Sequence, residues 1–106
     1  MVETSVQLGV TRIFEIKIYN PDTGVEIASD ANPTLTLTLP DATTQGPFTS
    51  VLKSGHTGTY QSTVTLVQTW PEGEYVGEWY YLIAGNSFKP RFTFHAHRVN
   101  APPTSQ

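Results

Sequence analysis

The sequence predicts an all-β fold, a sandwich of two sheets built from about seven antiparallel strands. Three observations point to it. Apolar and polar residues alternate in short runs, most cleanly in Leu35-Thr36-Leu37-Thr38-Leu39. Eight glycines and eight prolines fall mostly between those runs, where they set turns. No window carries apolar residues at i, i+3, i+4 and i+7 over three turns, so no helix is expected. A small β-barrel or a jelly roll is the alternative arrangement of the same strands.

Residues 1–10 read as an N-terminal arm or edge strand in which Val6, Leu8 and Val10 alternate. Residues 11–98 read as the sandwich, and residues 99–106, with Pro102-Pro103, as a flexible tail. The first strong strand is Arg12 to Tyr19, with Phe14, Ile16 and Ile18 on one face. Asn20-Pro21-Asp22-Thr23-Gly24 is a turn: Pro21 presets φ, Asp22 can bond its own backbone, and Gly24 accepts a positive φ. Val25 to Ile27 is a short strand that Ser29 to Pro33 breaks. Thr34 to Leu39 turns Leu35, Leu37 and Leu39 inward, and Pro40-Asp41 ends it. Ala42 to Pro47 is expected as a loop and Phe48 to Lys53 as a strand. Thr59 to Val67 puts Tyr60, Ser62, Val64 and Leu66 on one side. Glu74 to Ala84 carries Tyr75, Gly77, Trp79, Tyr81 and Ile83 opposite Val76, Tyr80 and Leu82. Apolar residues on both faces mark a central strand, or one whose outer face a partner covers. In Phe88 to Arg98, Phe88, Phe92, Phe94 and Ala96 point inward. The expected core is therefore Phe14, Ile16, Ile18, Leu35, Leu37, Leu39, Tyr60, Val64, Trp79, Tyr81, Phe92 and Phe94.

With 106 residues the chain suits one domain. Charged residues make up 14%, against a usual ~25%, and threonine fills much of the polar surface. Six scattered Lys and Arg in a chain of net charge −3 give no basic footprint for nucleic acid. Cysteine is absent, which removes disulfides, thiolate chemistry and cysteine-based zinc sites. No apolar run reaches the ~20 residues of a membrane helix, so no membrane partner is expected. Met1-Val2-Glu3-Thr4-Ser5 has neither the basic start nor the apolar stretch of a signal peptide, and the chain reads as a small gene product assembled in a cytoplasm.

Candidate chemistry is sparse. His95 and His97 share a strand face and could ligate a metal with His56 or a carboxylate as third ligand, but two exposed polar residues on the outer face, opposite Phe94 and Ala96, explain the spacing better. Asp22, Asp30 and Asp41 lie in loops where a sandwich can hold calcium, yet turn chemistry accounts for all three. Glu72, Glu74 and Glu78 cluster near a Pro/Gly turn, without the cleft a glycosidase needs. Tyr75, Trp79, Tyr80 and Tyr81 could form a sugar-stacking platform, but Trp79 and Tyr81 are better read as core aromatics of the sandwich. Tyr60, two residues after Gly58, is a candidate corner tyrosine. No cofactor is expected and no metal site is assigned, and an enzyme is not expected.

Phe14-Glu15-Ile16-Lys17-Ile18-Tyr19-Asn20-Pro21-Asp22-Thr23-Gly24, Asn32-Pro33-Thr34-Leu35-Thr36-Leu37, Pro40-Asp41, Thr57-Gly58-Thr59-Tyr60 and Pro71-Glu72-Gly73-Glu74-Tyr75 resemble bacterial-type immunoglobulin-like domains. Over about residues 12–96 the pattern is also similar to small immunoglobulin-like structural proteins of tailed-phage virions. The resemblance implies a non-enzymatic virion protein, a capsid decoration or cement protein that binds the major capsid protein lattice. A head-tail connector or tail protein is one alternative, and an extracellular carbohydrate-binding or adhesive module is another. It also implies a possible homo-oligomer, such as a trimer. The expected partner-binding residues are Val6, Leu8 and Val10 of the arm, with Tyr80 and Leu82 of the aromatic strand.

Overall fold

The computed structural model describes residues 5–98, and every regular element among them is a strand. The strands are β1 (Ser5–Gln7), β2 (Thr11–Lys17), β3 (Thr34–Thr38), β4 (Thr44–Thr49), β5 (Val51–Leu52), β6 (Thr59–Thr65), β7 (Gly73–Ile83), β8 (Asn86–Phe88) and β9 (Arg91–His97). A six-stranded sheet runs β1-β9-β7-β3-β4, with β8 paired to β7, and a three-stranded sheet runs β2-β6-β5. The two sheets form a sandwich of the immunoglobulin type and do not close into a barrel. In immunoglobulin lettering, β2 stands for B, β3 for C, β6 for E, β7 for F and β9 for G.

The core follows from strand alternation. Leu35 and Leu37 on β3, Tyr75 and Trp79 on β7, and Phe94 and Ala96 on β9 face Phe14 on β2 and Val64 on β6. Each large apolar side chain removed from water there contributes about 1.5–3 kcal/mol. Aromatic rings pack across and within the sheets: Phe14 and Phe94 lie 5.4 Å apart between the sheets, and Tyr75 stacks on its cross-strand partner Phe94 at 5.2 Å. Ile16 and Phe92 pack against this cluster half-buried, while Ile18, Leu39 and Tyr60 are buried. Two glycines are dictated by packing. A Cβ on Gly77 would enter the ring of Phe92, and one on Gly58 would strike the carbonyls of Ile18 and Ile27.

Several sequence expectations need correction. Val6 and Leu8 are not partner-facing: both are only 2% exposed. Val6 sits in register with Ala96, because β1 pairs in parallel with β9. The described part of the arm is thus a strand of the larger sheet, and the sandwich is not wholly antiparallel. Residues 1–4, and the tail of residues 99–106, lie outside the described residues. Val25 to Ile27 contributes only a bridge between Tyr19 and Glu26. Thr44 to Pro47 is strand, not loop, since it supplies the ladder partner that β3 needs, through a bulge between Leu35 and Leu37. The strand expected over Phe48 to Lys53 breaks at Ser50, where the chain leaves one sheet for the other and the Ser50 hydroxyl bonds the Pro33 carbonyl. Pro90 divides the last expected strand, so Phe88 belongs to β8 and is exposed. Tyr81 is only half-buried and lies beyond the core.

The corner tyrosine is Tyr75. Its hydroxyl donates to the Pro71 carbonyl at 2.7 Å, four residues upstream at the start of strand F. Burial raises its phenol above the ordinary value. Tyr60 serves differently, accepting the Ser29 N–H at 3.2 Å and so fastening the β2–β3 connection.

Candidate functional site

The candidate site is the outer end of β7. Its inner part, Gly73–Glu78, pairs with β9, and Val76–Tyr80 pairs with β3. Beyond Tyr80 the strand continues with Tyr81–Ile83 paired to Asn86–Phe88 of β8. The result is a hairpin that runs past the region covered by the three-stranded sheet.

The turn is held from outside the hairpin. Ala84 and Gly85 both have positive φ, 51° and 81°, the requirement of a tight two-residue turn. Alanine there costs about 1–2 kcal/mol. Asp30 offsets that cost. Its carboxylate accepts the N–H groups of Ala84 at 3.0 Å and Gly85 at 2.9 Å, and its own N–H donates to the Leu82 carbonyl at 2.8 Å. Asp30 is therefore a turn cap, joining the B–C connection to the F–G hairpin.

The hairpin exposes apolar area on both faces. Tyr80 and Leu82 share one face, with Tyr80 41% exposed and the Lys89 ammonium 5.9 Å from its ring centroid. Tyr81 and Phe88 are cross-strand partners on the other face, stacked at 5.3 Å, with Phe88 44% exposed. A two-stranded ribbon cannot bury either face by itself. Partial burial raises the Tyr81 phenol above its ordinary value.

The remaining candidates are dispersed. His95 and His97 lie on the outer face, and His97 Nδ1 is 3.3 Å from the Ser5 hydroxyl. Among the described residues no three His, Asp or Glu side chains come together as a metal site. His56 instead bonds Glu26 at 2.8 Å. Glu26 also accepts the N–H groups of Gly58 and Thr57, and these bonds, with that from Gly58 foremost, hold its carboxyl at about 2. This clasp joins the Pro21–Gly24 turn region to the β5–β6 loop, and no sequence motif announced it. Asp41 is held below its ordinary value by the hydroxyl and N–H of Thr43. Glu72 bonds Arg98 and Glu78 bonds Arg91, so these carboxylates serve separate pairings. Tyr75 and Trp79 are core residues, which leaves Tyr80 and Tyr81 on opposite faces of the hairpin rather than in one stacking row. Phe88, expected inside, is the contributor that sequence reading missed. Lys89-Pro90 immediately after it was the available signal.

The chain matches no protein-family model and no curated protein.

Proposed function

We propose that the protein is a non-enzymatic binding module that docks on another protein through the F–G hairpin. The observation that carries this reading is the exposure of Tyr80 on one face and Phe88 on the other of a hairpin whose turn is fixed by Asp30. Rigid aromatic anchors lose little entropy on docking and are enriched where binding energy concentrates. The F–G and B–C connections of immunoglobulin-type sandwiches cluster at one end, and variable domains bind there. That support is an analogy of fold. The resemblance to small virion proteins supplies the partner class: a repeating capsid lattice that the domain decorates or cements.

The test is co-sedimentation with purified tailed-phage capsids, alongside the mass of the protein in solution. Saturable binding at a fixed stoichiometry per capsomer supports decoration. A sixfold or twelvefold ring without lattice binding would move the reading to a connector.

A further inference from the structure

The three-stranded sheet is β2-β6-β5, and its β2 edge, the B edge, is open among the described residues. In a complete sandwich of this type strand A lies there. Here β1 pairs with β9 in the other sheet instead. The register identifies what is unpaired. Val10 and Leu66, and Ile18 and Gly58, are joined by ladder hydrogen bonds, so even-numbered residues of β2 bond β6. Thr11, Ile13 and Glu15 therefore direct their N–H and C=O groups away from β6, to the free edge. Beside that edge is an open groove lined by Arg12, Phe14, Phe92 and Phe94. A second groove continues along the same edge past Arg12 toward Val10 and Ser5. Arg12 lines both. Among the described residues the other cations each have an ionic or aromatic partner: Lys17, Lys53, Lys89, Arg91 and Arg98. Arg12 has none.

We propose that the β2 edge is a strand-acceptor site for an extended segment of a partner protein carrying a carboxylate two residues from an aliphatic side chain. The backbone of that segment pairs with Ile13 and Glu15, as an added strand does. Strand alternation puts residues two apart on one face. The aliphatic side chain enters the groove against Phe14 and Phe92, and the carboxylate meets Arg12. Glu15 points to the opposite face, where Gln61 and Lys53 already bond it and hold its carboxyl below the ordinary value. Glu15 borders the groove, but its carboxylate is engaged by Gln61 and Lys53 and so directed away from the incoming acid. This site lies on a different part of the molecule from the F–G hairpin and does not depend on the proposal made for that hairpin.

The experiment titrates the full chain with the peptide acetyl-Ser-Thr-Glu-Thr-Val-Thr-Ser-amide and follows backbone amide resonances. The expected result is saturable shifts and slowed exchange at the Ile13 and Glu15 amides. Replacing the peptide's Glu with Lys should weaken binding by about tenfold, the loss of one charge-assisted pair. Arg12→Glu should do the same, and should favour the Lys peptide. Ile13→Pro removes an edge N–H that β6 does not use, so it should abolish binding. Should that variant fail to fold, the Arg12→Glu charge reversal still decides. Shifts confined to Tyr80–Phe88, no saturable shift at all, or binding indifferent to the Arg12→Glu exchange would each overturn the proposal.

Discussion

The two halves of β7 carry nearly the same pattern and meet opposite fates. Tyr75, Gly77 and Trp79 of the inner half are buried, whereas Tyr81 and Ile83, next in the same alternation, are half-exposed. Nothing local distinguishes them. The inner half lies under β2 and β6, which contribute Phe14 and Val64 to the common core, with Leu66 just past β6, and the outer half extends past them. Burial is therefore set by how far the opposite sheet reaches and not by the strand's own residues. The outer half is held by its edges, through β8 and Asp30, and that leaves its apolar faces available for a partner.

The largest effect should separate these halves. Trp79→Ala should cost about 3–5 kcal/mol, the range for a large aromatic removed from a packed core. Tyr81→Ala should cost about 1 kcal/mol, as at a partly exposed site. Urea denaturation midpoints, with m-values to confirm two-state behaviour, measure both. Equal losses would mean that the hairpin belongs to the core.

Gly77 sharpens the comparison within the inner half. Gly77→Ala should destabilise by about 1–3 kcal/mol, because the new methyl must displace the Phe92 ring. Adding Phe92→Leu should recover part of that loss. A double variant no better than the sum of the singles would show that the strain arises elsewhere.

At the hairpin, Asp30→Ala removes both carboxylate bonds to the turn. Each hydrogen bond to a charged group contributes about 1.5–3 kcal/mol, less at an exposed site. Hydrogen exchange at Ala84 and Gly85 should accelerate by about tenfold or more, while the core amides of Trp79 and Tyr75 accelerate only as far as global stability falls. Uniform acceleration would show that the hairpin does not open independently.

The smallest expected effect is electrostatic and lies away from both halves. Glu26 sits at about 2 in the folded chain against an ordinary 4.5. A depressed carboxylate stabilises the fold fully above about 4.5 and loses that contribution as pH falls through 4.5 toward 2. Glu26→Gln should lower stability at neutral pH and flatten its decline across this window. An unchanged acid limb would assign acid sensitivity to other carboxylates.

Much of the fold was legible in the sequence because alternation is a two-residue property of the strand itself. The inward faces of β2, β3 and β6 follow from it directly, as Phe14, Leu35, Leu37 and Val64 show. What was not legible depends on partners distant in sequence. Val6 is inward only because β1 lies beside Ala96, some ninety residues away. The break at Ser50 reflects a change of sheet, which alternation cannot encode. Of the partner-facing residues expected, Tyr80 and Leu82 fall on the hairpin, Val10 lies half-buried along the second groove, and Val6 and Leu8 fall in the core. Asp30 was readable as a turn residue, but the turn it caps is fifty-four residues further on.

The most direct test of the central claim compares wild type with a Tyr80→Ser/Phe88→Ser double variant for capsid binding and for thermal stability. A loss of about 1–2 kcal/mol in stability, as at partly exposed sites, is expected with the fold retained, together with loss of saturable binding. Undiminished binding by the folded double variant would contradict it.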